Sequence, residues 1–537
     1  MPRLRATVLT ALLFLTVACA TAATEVGQPP AVSATGPGAT PRPIAVVSDF
    51  HMGVGRTAGK WSNLEDFRWT NAFRAFLDAI GRQYGDGVDL VVGGDLLELW
   101  QHPTVACSGC GPDLGCALAE IERVSADVIA QHTPDLRALG AFADRGTNRV
   151  FVIPGNHDAA IQLDTVWQRL RDAIGSVTGR VVRVDDAWVS PDGLVVVEHG
   201  HQIGDNPNRF RRWPAVTGEC AADGGVYVDR PWGEFFVQKL FNEAEDQHPL
   251  IDNLIPESAG AGLYSRRQGV VASSVDLARF IAFTLFQTSL WQKLELNVAD
   301  PSKADAWDLK VARQRGARLF ADAMGSDDPL RAQLLEGATP RAVEIRESLD
   351  ALSKDPAKLS DAAVLALCDQ IKIRAQREPG TRQLCSRDLF LGTARSFFPL
   401  NRVLAPHLAA RLKAYPDTRI FIYGHTHEAD FDIAVSPTPT RNVTAFNSGA
   451  FQRLMDQATF RQRAAAKGSA PEDAFAAFTL EADFPACYSA ILVTYDRSGI
   501  PQPALRHWLM PESEPTGEFV LPCDLRCGAG PPRCRAQ

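Results

Sequence analysis

The sequence predicts an α/β fold on the basis of two observations. Five apolar runs of strand length recur along the chain, and each is followed by a short polar string that carries aspartate, asparagine or histidine. Stretches with helical periodicity lie between several of these runs. Because ligands collect at the carboxyl ends of strands in an α/β sheet, we expect the polar strings to meet at one edge of the core.

The predicted core strands are short and apolar at consecutive positions, which is typical of interior strands covered on both faces. They span residues 44–47, 90–92, 150–153, 194–197 and 420–423. The polar strings that follow them are Ser48-Asp49-Phe50-His51, Gly94-Asp95, Gly155-Asn156-His157-Asp158, His199-Gly200-His201 and Gly424-His425-Thr426-His427.

Helices are predicted between the first strands, where apolar residues recur at spacings of three and four. These helices span residues 63–84, 118–139 and 166–174. Together with the strands they predict a first part of the core over residues 44–205.

The long interval between His201 and His425 is predicted to be mostly helical. We expect it to form a large insertion, residues 206–415, that lies as a subdomain or cap beside the site. Its predicted helices are residues 232–244, 275–294, 309–324, 341–352 and 395–413.

The second part of the core is predicted over residues 416–510, followed by a turn-rich, cysteine-rich tail over residues 511–537. Strands at 443–447 and 489–495, with a return strand at 504–508 after a turn, are expected to complete a second sheet. Residues 451–477 are predicted to be a helical excursion.

The first residues have the pattern of an export signal. Arg3 and Arg5 form a positive region, residues 8–17 are apolar, and small residues continue to Ala23. This pattern predicts a signal segment over residues 1–23.

Two routes of export remain open. Cys19 stands where a bacterial lipoprotein carries its lipid, whereas cleavage after Ala20 would give simple secretion. Residues 24–43 are rich in proline, glycine, alanine and threonine and are predicted to be a flexible linker. We therefore expect a periplasmic or outer-membrane lipoprotein attached through a lipid on Cys19, or alternatively a secreted protein.

Cysteine number agrees with export. The chain has 11 cysteines, and removal of Cys19 from the folded domain leaves ten, an even number suited to disulfides in an oxidising compartment. Cys107 and Cys110 could instead form half of a zinc site or a redox pair, but no second pair has suitable spacing.

The charge of the chain argues against one class of partner. The net charge is −8 at pH 7, which opposes electrostatic capture of DNA or RNA, so no nucleic-acid partner is expected.

The polar strings carry ligands for two adjacent metal ions. One residue separates Asp49 from His51, so at an extended strand end both side chains would point to the same side and hold one cation. His425 and His427 repeat this spacing. Asp95 offers two oxygens, which allows one carboxylate to bridge two ions.

Two further residues complete the predicted ligand set. Asn156 adds a neutral amide oxygen, and His199 adds an imidazole nitrogen. Mixed nitrogen and oxygen ligands without thiolate suit Mn, Fe or Zn and disfavour a purely calcium-like site.

In their order along the chain, the five strings resemble the motifs of the calcineurin-like metallophosphoesterase superfamily. The similarity covers about residues 44–205 and 418–450, including Asn447-Ser448-Gly449, and leaves the insertion and the tail uncovered. The resemblance implies a four-layer α/β/β/α sandwich with two mixed β-sheets, enlarged here by the helical insertion.

The resemblance also implies how two divalent or trivalent ions are held, with Asp95 as the bridge. The first ion would be bound by Asp49, His51, Asp95 and His427, and the second by Asp95, Asn156, His199 and His425. A hydroxide shared by the two ions would attack the phosphorus in line.

Two catalytic residues follow from the same resemblance. His157 matches the histidine that contacts the scissile phosphate and protonates the leaving oxygen, and Asp158 would orient its ring. His201 is interpreted as a histidine that either supports the ligands or only fills the loop. Glu98 is interpreted as a helix-start or supporting carboxylate rather than a ligand and is left out of the site.

The sequence therefore predicts an exported dinuclear-metal phosphoesterase that acts on a phosphate ester, with the choice between monoesterase, diesterase and pyrophosphohydrolase open. The alternative is a non-catalytic metal-binding lipoprotein that uses the fold and the helical insertion as a binding module.

Overall fold

The structure is a computed structural model that describes residues 41–267 and 400–528, apart from 106, 108, 205–207, 256–258, 261–262, 265–266 and 512. The chain divides into Met1–Gly38, which lies outside the described residues, and Ala39–Gln537, to which all the features below belong. The predicted export signal with Cys19, nearly all of the linker, and the predicted helices at 275–294, 309–324 and 341–352 also lie outside the described residues.

The described strands are numbered along the chain. They are β1 (Ile44–Val47), β2 (Arg56–Thr57), β3 (Lys60–Trp61), β4 (Asp89–Gly93), β5 (Leu114–Ala117), β6 (Arg149–Ile153), β7 (Val181–Arg183), β8 (Ala187–Val189), β9 (Val195–Glu198), β10 (Thr217–Glu219), β11 (Val226–Asp229), β12 (Leu254–Ile255), β13 (Ile420–Tyr423), β14 (Asp430–Thr438), β15 (Arg441–Asn447), β16 (Met455–Asp456), β17 (Cys487–Tyr495), β18 (Pro501–Leu509) and β19 (Glu518–Val520).

The described helices are numbered in the same way. They are α1 (Thr70–Gln83), α2 (Leu118–Gln131), α3 (Thr133–Asp144), α4 (Asp164–Ile174), α5 (Trp232–Phe236), α6 (Asn242–Gln247), α7 (Leu400–Ala414), α8 (Gln457–Ala466), α9 (Pro471–Ala477) and α10 (Leu480–Asp483). A π-helical turn, Val237–Phe241, joins α5 to α6.

The larger sheet has seven strands in the order β19-β18-β17-β1-β4-β6-β7. β1, β4, β6 and β7 run parallel, and β17 pairs antiparallel with β1. β17 and β18 are the strands predicted at 489–495 and 504–508, so the prediction that they complete the second sheet is wrong. β17 is buried along most of its length, which suits an interior position between β1 and β18.

The smaller sheet has five strands in the order β14-β15-β13-β9-β8. β13 runs parallel to β15 and β9, whereas β14 and β8 pair antiparallel at the two edges. Both large sheets are therefore mixed, and the predicted α/β class is confirmed.

Alternate residues of the core strands pack on opposite faces, as the pleat requires. Val47 of β1 lies in an apolar cluster with α1 to α4. Val46 instead packs with Val197 and Ile422 of the smaller sheet. Leu404 of α7 belongs to another cluster with residues of the smaller sheet. The two sheets thus share an apolar interface.

Two predicted helices have different limits in the structure. α1 begins at Thr70 rather than at residue 63, because the Glu65 carboxylate accepts hydrogen bonds from the amides of Gly53, Gly55 and Phe67 and holds this segment as a loop.

The predicted helix over residues 118–139 is two helices, α2 and α3, separated at His132. Pro134 lies in the first turn of α3, where it is tolerated, whereas within a continuous helix it would remove a hydrogen bond and clash with the preceding turn.

The beginning of the predicted insertion contains strands as well as helices. β10 and β11 form a three-stranded sheet with β5, and β12 pairs with β16. β5 and β16, which pair with β11 and β12, lie far away along the chain, whereas β10 pairs with the neighbouring β11. Local periodicity did not indicate these short strands. α5, α6 and α7 lie within stretches that were predicted to be helical or extend them slightly.

Disulfides are present, as predicted. Among the bonded pairs are Cys107–Cys116, Cys110–Cys220 and Cys487–Cys527, and Cys523 is also in a disulfide. Because Cys107 and Cys110 are each in a disulfide, they form neither half of a zinc site nor a redox pair with one another. Among the helices of the described residues, none has the length and hydropathy needed to cross a membrane.

Candidate active site

The five polar strings lie at the carboxyl ends of β1, β4, β6, β9 and β13, as predicted. Backbone hydrogen bonds join the loops: the amide of Asp49 donates to Gly94 O, and the amide of His51 donates to Asp95 O. In the smaller sheet the amide of Gly424 donates to His199 O. The two sheets therefore bring strings from distant parts of the chain to one place.

Most of the predicted ligands have an unusual backbone conformation. Eight residues other than glycine have a positive φ in the described chain, and five of them are predicted metal ligands. Such conformations cost about 1–3 kcal/mol each and cluster at functional sites. The expectation of an extended backbone at these strand ends is therefore wrong. The backbone is in the left-handed region at these residues, and this conformation sets the direction of their side chains. The five are Asp49 (φ 56°), His51 (51°), Asp95 (50°), His425 (72°) and His427 (55°).

The first group of donor atoms joins strings from both sheets. Asp49, His51 and His427 each offer a ligand atom, and these atoms lie within 4.8 Å of one another. His51 Nε2 is 3.1 Å from His427 Nε2, and His427 Nε2 is 3.5 Å from Asp49 Oδ1. Two imidazole nitrogens and a carboxylate oxygen thus face one small volume.

The second group lies beside the first. Asp95, His199 and His425 offer ligand atoms that are again within 4.8 Å of one another. His199 Nε2 is 3.0 Å from Asp95 Oδ2 and 2.9 Å from Asn156 Oδ1.

The carboxylate of Asp95 reaches both groups. Its Oδ2 is 3.0 Å from His199 Nε2 and 3.7 Å from His51 Nε2. The geometry therefore brings together all seven predicted ligands and leaves Asp95 in the position expected of a bridge.

The electrostatics of the site fit bound cations. Burial lowers the pKa of His199, but the nearby Asp95 carboxylate outweighs burial and raises the pKa to about 9. Burial likewise opposes protonation of His51, yet Glu98 and Asp95 raise its pKa well above the usual value. Protons on these rings balance the buried carboxylates, and a cation bound by neutral imidazoles would do the same.

His425 is suited to act as a neutral ligand. Burial and the neighbouring His199 lower its pKa well below the usual value. The donor set of imidazole nitrogens, carboxylate oxygens and one amide oxygen, without thiolate, fits Mn, Fe or Zn.

Glu98 is a site residue that the sequence interpretation left outside the site. Its Oε2 accepts hydrogen bonds from Nδ1 of both His51 (2.9 Å) and His157 (2.5 Å). Burial raises the pKa of Glu98, but His157 and His51 outweigh burial and lower it to about 2, so the carboxylate is ionised. The indole of Trp100 stacks on the ring of His157, with 3.9 Å between ring centroids.

Asp158 has a different position from the one expected. Its carboxylate accepts hydrogen bonds from the backbone amides of Leu96, Leu97 and Gly155 at 2.7, 3.2 and 2.6 Å. The hydrogen bond to the His157 ring that the resemblance assigned to Asp158 is made by Glu98. Asp158 instead fixes the backbone of the two loops that carry Asp95 and His157.

His201 lies next to the second group without being part of it. It is buried, and neither ring nitrogen has a hydrogen-bond partner among residues 41–267 and 400–528 as described. Its ring packs edge-on against Trp213 with 4.3 Å between centroids. Burial and the nearby His199 lower its pKa well below the usual value, so the ring is neutral.

Fold and site together define a metal-binding α/β protein in which a histidine outside the ligand set borders the donor groups. Residues 42–254 match the family model described as calcineurin-like phosphoesterase. The predicted resemblance is confirmed over this span, and with the ligand groups it identifies a metal-dependent phosphoesterase domain. Comparisons with curated proteins and with solved structures found no significant match.

The matched span contains five of the seven predicted ligands and ends before the last two, His425 and His427. These two are connected to the domain by geometry, since each lies in a donor group with residues of the matched span.

Proposed function

We propose that this protein is an exported phosphoesterase that hydrolyses a phosphate ester at a dinuclear metal centre. The observation that carries the proposal is the convergence of two donor groups from two sheets, with the carboxylate of Asp95 within reach of both. A single cation needs only one such group, whereas two adjacent groups with a shared carboxylate suit a pair of ions.

The chain's own residues hold and orient the centre. When bound, two adjacent ions would activate the attacking water and stabilise the oxygens of the phosphoryl group. Asp49, His51 and His427 hold one position, and Asn156, His199 and His425 hold the other. Asp95 contributes to both.

His157 assists departure of the leaving group. With Nδ1 hydrogen-bonded to the ionised Glu98, the ring presents Nε2 as the proton donor to the ester oxygen that leaves. Glu98 stabilises the imidazolium before transfer, and the stacked Trp100 keeps the ring plane fixed. General acid catalysis of this kind contributes about 10²–10⁴ in rate.

The proposal includes a layered core, α/β/β/α, enlarged by a helical insertion. Its support is the apolar interface between the two sheets and the helix clusters on their other faces. Export, with a lipid on Cys19 or by secretion, is supported by the export-signal pattern of residues 1–23 and by the disulfides, which persist in oxidising compartments.

The test uses the purified protein loaded with Mn²⁺, Fe or Zn²⁺. Bis-p-nitrophenyl phosphate and p-nitrophenyl phosphate are assayed in parallel, together with metal content per chain. We expect hydrolysis of at least one ester. We also expect His157→Ala to lower kcat about 10²–10⁴-fold while the metal content per chain stays unchanged.

Two results would contradict the proposal. Equal loss of metal and activity in His157→Ala would show that His157 is a ligand rather than an acid. A metal-loaded protein that hydrolyses neither ester would favour the alternative of a non-catalytic metal-binding module.

A further inference from the structure

Three carboxylates meet beside the candidate active site but outside its ligand set. Asp66, Glu245 and Asp252 each offer an oxygen, and these oxygens lie within 4.8 Å of one another. Asp66 is 4% exposed and Glu245 is 0% exposed. Asp66 lies in the loop before α1, Glu245 in α6, and Asp252 in the segment between α6 and β12.

The cluster has an excess of negative charge around its most buried member. Burial raises the pKa of Glu245, and Asp252, Asp66 and Glu98 raise it further. A hydrogen bond from Gln101 acts in the opposite direction. Buried charges of one sign are costly unless they are paired or coordinate a metal.

Unsatisfied oxygens supply a second, independent observation. Oε1 of Glu245 has no hydrogen-bond donor within the described ranges 41–267 and 400–528. In the same part of the chain, neither side-chain polar atom of Asn253 has a partner, although Asn253 is 1% exposed. Oδ1 of Asn242, three residues before Glu245 on the same helix, is also buried without a donor. Buried polar atoms are rarely left in this state.

We infer that Asp66, Glu245 and Asp252 bind a third cation, and that this ion is Ca²⁺. Ca²⁺ takes six to eight oxygen ligands at 2.3–2.6 Å, so two of its ligands can be up to about 5.2 Å apart. The oxygens here fall within that limit. Carboxylate oxygens such as these are ligands that Ca²⁺ takes in proteins, singly or in pairs.

The chemistry separates this site from the dinuclear centre. The dinuclear centre has imidazole ligands from four histidines, which favour transition metals. The third site has only oxygen donors among its three members, which favours a hard cation, and Ca²⁺ is held by all-protein oxygen ligands more readily than Mg²⁺ is.

The proposed Ca²⁺ site lies where α6 of the insertion contacts loops of the core. Gln101, in the loop that follows Asp95 and Glu98, donates a hydrogen bond to Glu245 Oε2. Asn63 Nδ2 donates to the carbonyl of Asp246 at 2.6 Å. An ion between Asp66 and Glu245 would hold α6 against these two loops and so fix the wall next to the active site.

Equilibrium dialysis against ⁴⁵Ca²⁺ tests the inference with the full chain already loaded with transition metal. Calcium is raised to about 5 mM, because weak extracellular calcium sites have Kd of 10⁻⁴–10⁻³ M. We expect one Ca²⁺ per chain and a rise in Tm of roughly 1–3 °C, since 5 mM is about 5–50 times such a Kd.

Variants locate the site. Glu245→Gln and Asp252→Asn should each weaken Ca²⁺ binding at least tenfold while the transition-metal content stays the same. Glu243→Gln, which removes the same charge from an exposed position of α6, is the matched control and should bind Ca²⁺ like the parent.

The inference is overturned if the parent binds no Ca²⁺ at 5 mM, or if both site variants bind it like the control. A parent without Ca²⁺ binding that Glu245→Gln makes more heat-stable would show that a proton, rather than a metal ion, neutralises the cluster. None of these readouts depends on phosphoesterase activity, so they are separate from the test of the proposed function.

Discussion

A single carboxylate oxygen is hydrogen-bonded to two histidines that have different proposed roles. Oε2 of Glu98 is shared by Nδ1 of His51, a predicted ligand, and Nδ1 of His157, the proposed acid. Each ring therefore has its Nε2 directed away from Glu98. One ionised side chain thus fixes the tautomer of both rings.

We predict that Glu98→Gln lowers kcat by roughly 10- to 100-fold, the usual effect of removing a group that orients a ligand or an acid. The amide is neutral and cannot stabilise an imidazolium as the carboxylate does. The pH profile of kcat should also change, because Glu98 is among the groups that raise the pKa of the predicted ligand His51. Glu243→Gln should leave both the rate and the profile unchanged.

This prediction fails if Glu98→Gln lowers kcat but leaves the pH profile as in the parent. That result would indicate a purely structural role for Glu98 in the loop, where its Oε1 also accepts a hydrogen bond from the amide of Trp100 at 2.7 Å.

Metal binding should release protons at neutral pH. Asp95 raises the pKa of His199 to about 9 against the effect of burial, so the metal-free ring is protonated at pH 7. A ligand nitrogen must be unprotonated, and apparent affinity therefore increases as pH rises from 6 towards 9.

Titration calorimetry with Zn²⁺ in buffers of different ionisation enthalpy measures this release. We expect about one to two protons per bound pair of ions at pH 7, from His199 and His51. An observed heat that is the same in all buffers would contradict this prediction.

The residue types and spacings allowed most of the site to be predicted. Aspartate and histidine directly after apolar strands were sufficient to identify Asp49, Asp95 and His425, because strand ends meet at one edge. The position of Glu98 three residues beyond Asp95 was visible, but its role was not, since it depends on how the loop returns its side chain towards His157.

At the scale of elements, one network of ion pairs and hydrogen bonds connects α2 and α3 to the loop that follows Asp49 and His51. His132, between α2 and α3, is 3.3 Å from Glu65 Oε2 and 3.0 Å from Asp135 Oδ2. Glu65 in turn accepts hydrogen bonds from the amides of Gly53 and Gly55. The loop that follows Asp49 and His51 is thus held by a carboxylate whose partner is His132.

This network should make stability depend on pH. Burial lowers the pKa of His132, but Glu65 and Asp135 outweigh burial and raise it to about 9. Because the folded-state pKa exceeds the unfolded value of about 6.5, the stabilisation is complete below pH 6.5 and is lost as pH rises through 9.

We predict that His132→Gln lowers the free energy of unfolding by about 3 kcal/mol at pH 6, and that the difference decreases by pH 10. Urea unfolding of parent and variant at pH 6, 8 and 10, with metal content held constant, measures it. A difference that does not change with pH would show that His132 acts through packing alone.

Strands and helices were predicted correctly where the local sequence pattern determines them. They were missed, or given wrong limits, where contacts with a distant part of the chain determine them. β1, β4, β6, β9 and β13 were identified because they are apolar throughout. The late start of α1 depends on the hydrogen bonds of Glu65, and β11 pairs with β5, which lies far away along the chain. Cys220 pairs with Cys110 for the same reason, since no local pattern specifies its partner.

At the scale of the whole molecule, the predicted ligands belong to two sheets. Asp49 and Asp95 follow strands of the larger sheet, whereas His199 and His427 follow strands of the smaller sheet. The sheets also share an apolar interface. Bound ions would therefore connect the two sheets at the edge where their strands end, and separation of the sheets would require release of the ions.

We predict that metal loading stabilises the whole fold. A ligand at a hundred times its Kd adds about 2.7 kcal/mol to the free energy of unfolding, which for a protein of this size corresponds to roughly 2–4 °C in Tm. Adding Mn²⁺ to chelated protein, with calcium absent, should produce this shift in calorimetry. His157→Ala should keep the shift because it removes no ligand, and Asp95→Asn should lose most of it because it removes the shared carboxylate.

Hydrogen exchange provides the decisive comparison: slower exchange on metal binding in β1 and β4 together with β9 and β13 is expected if the ions connect the sheets, and protection limited to one sheet would contradict the connection.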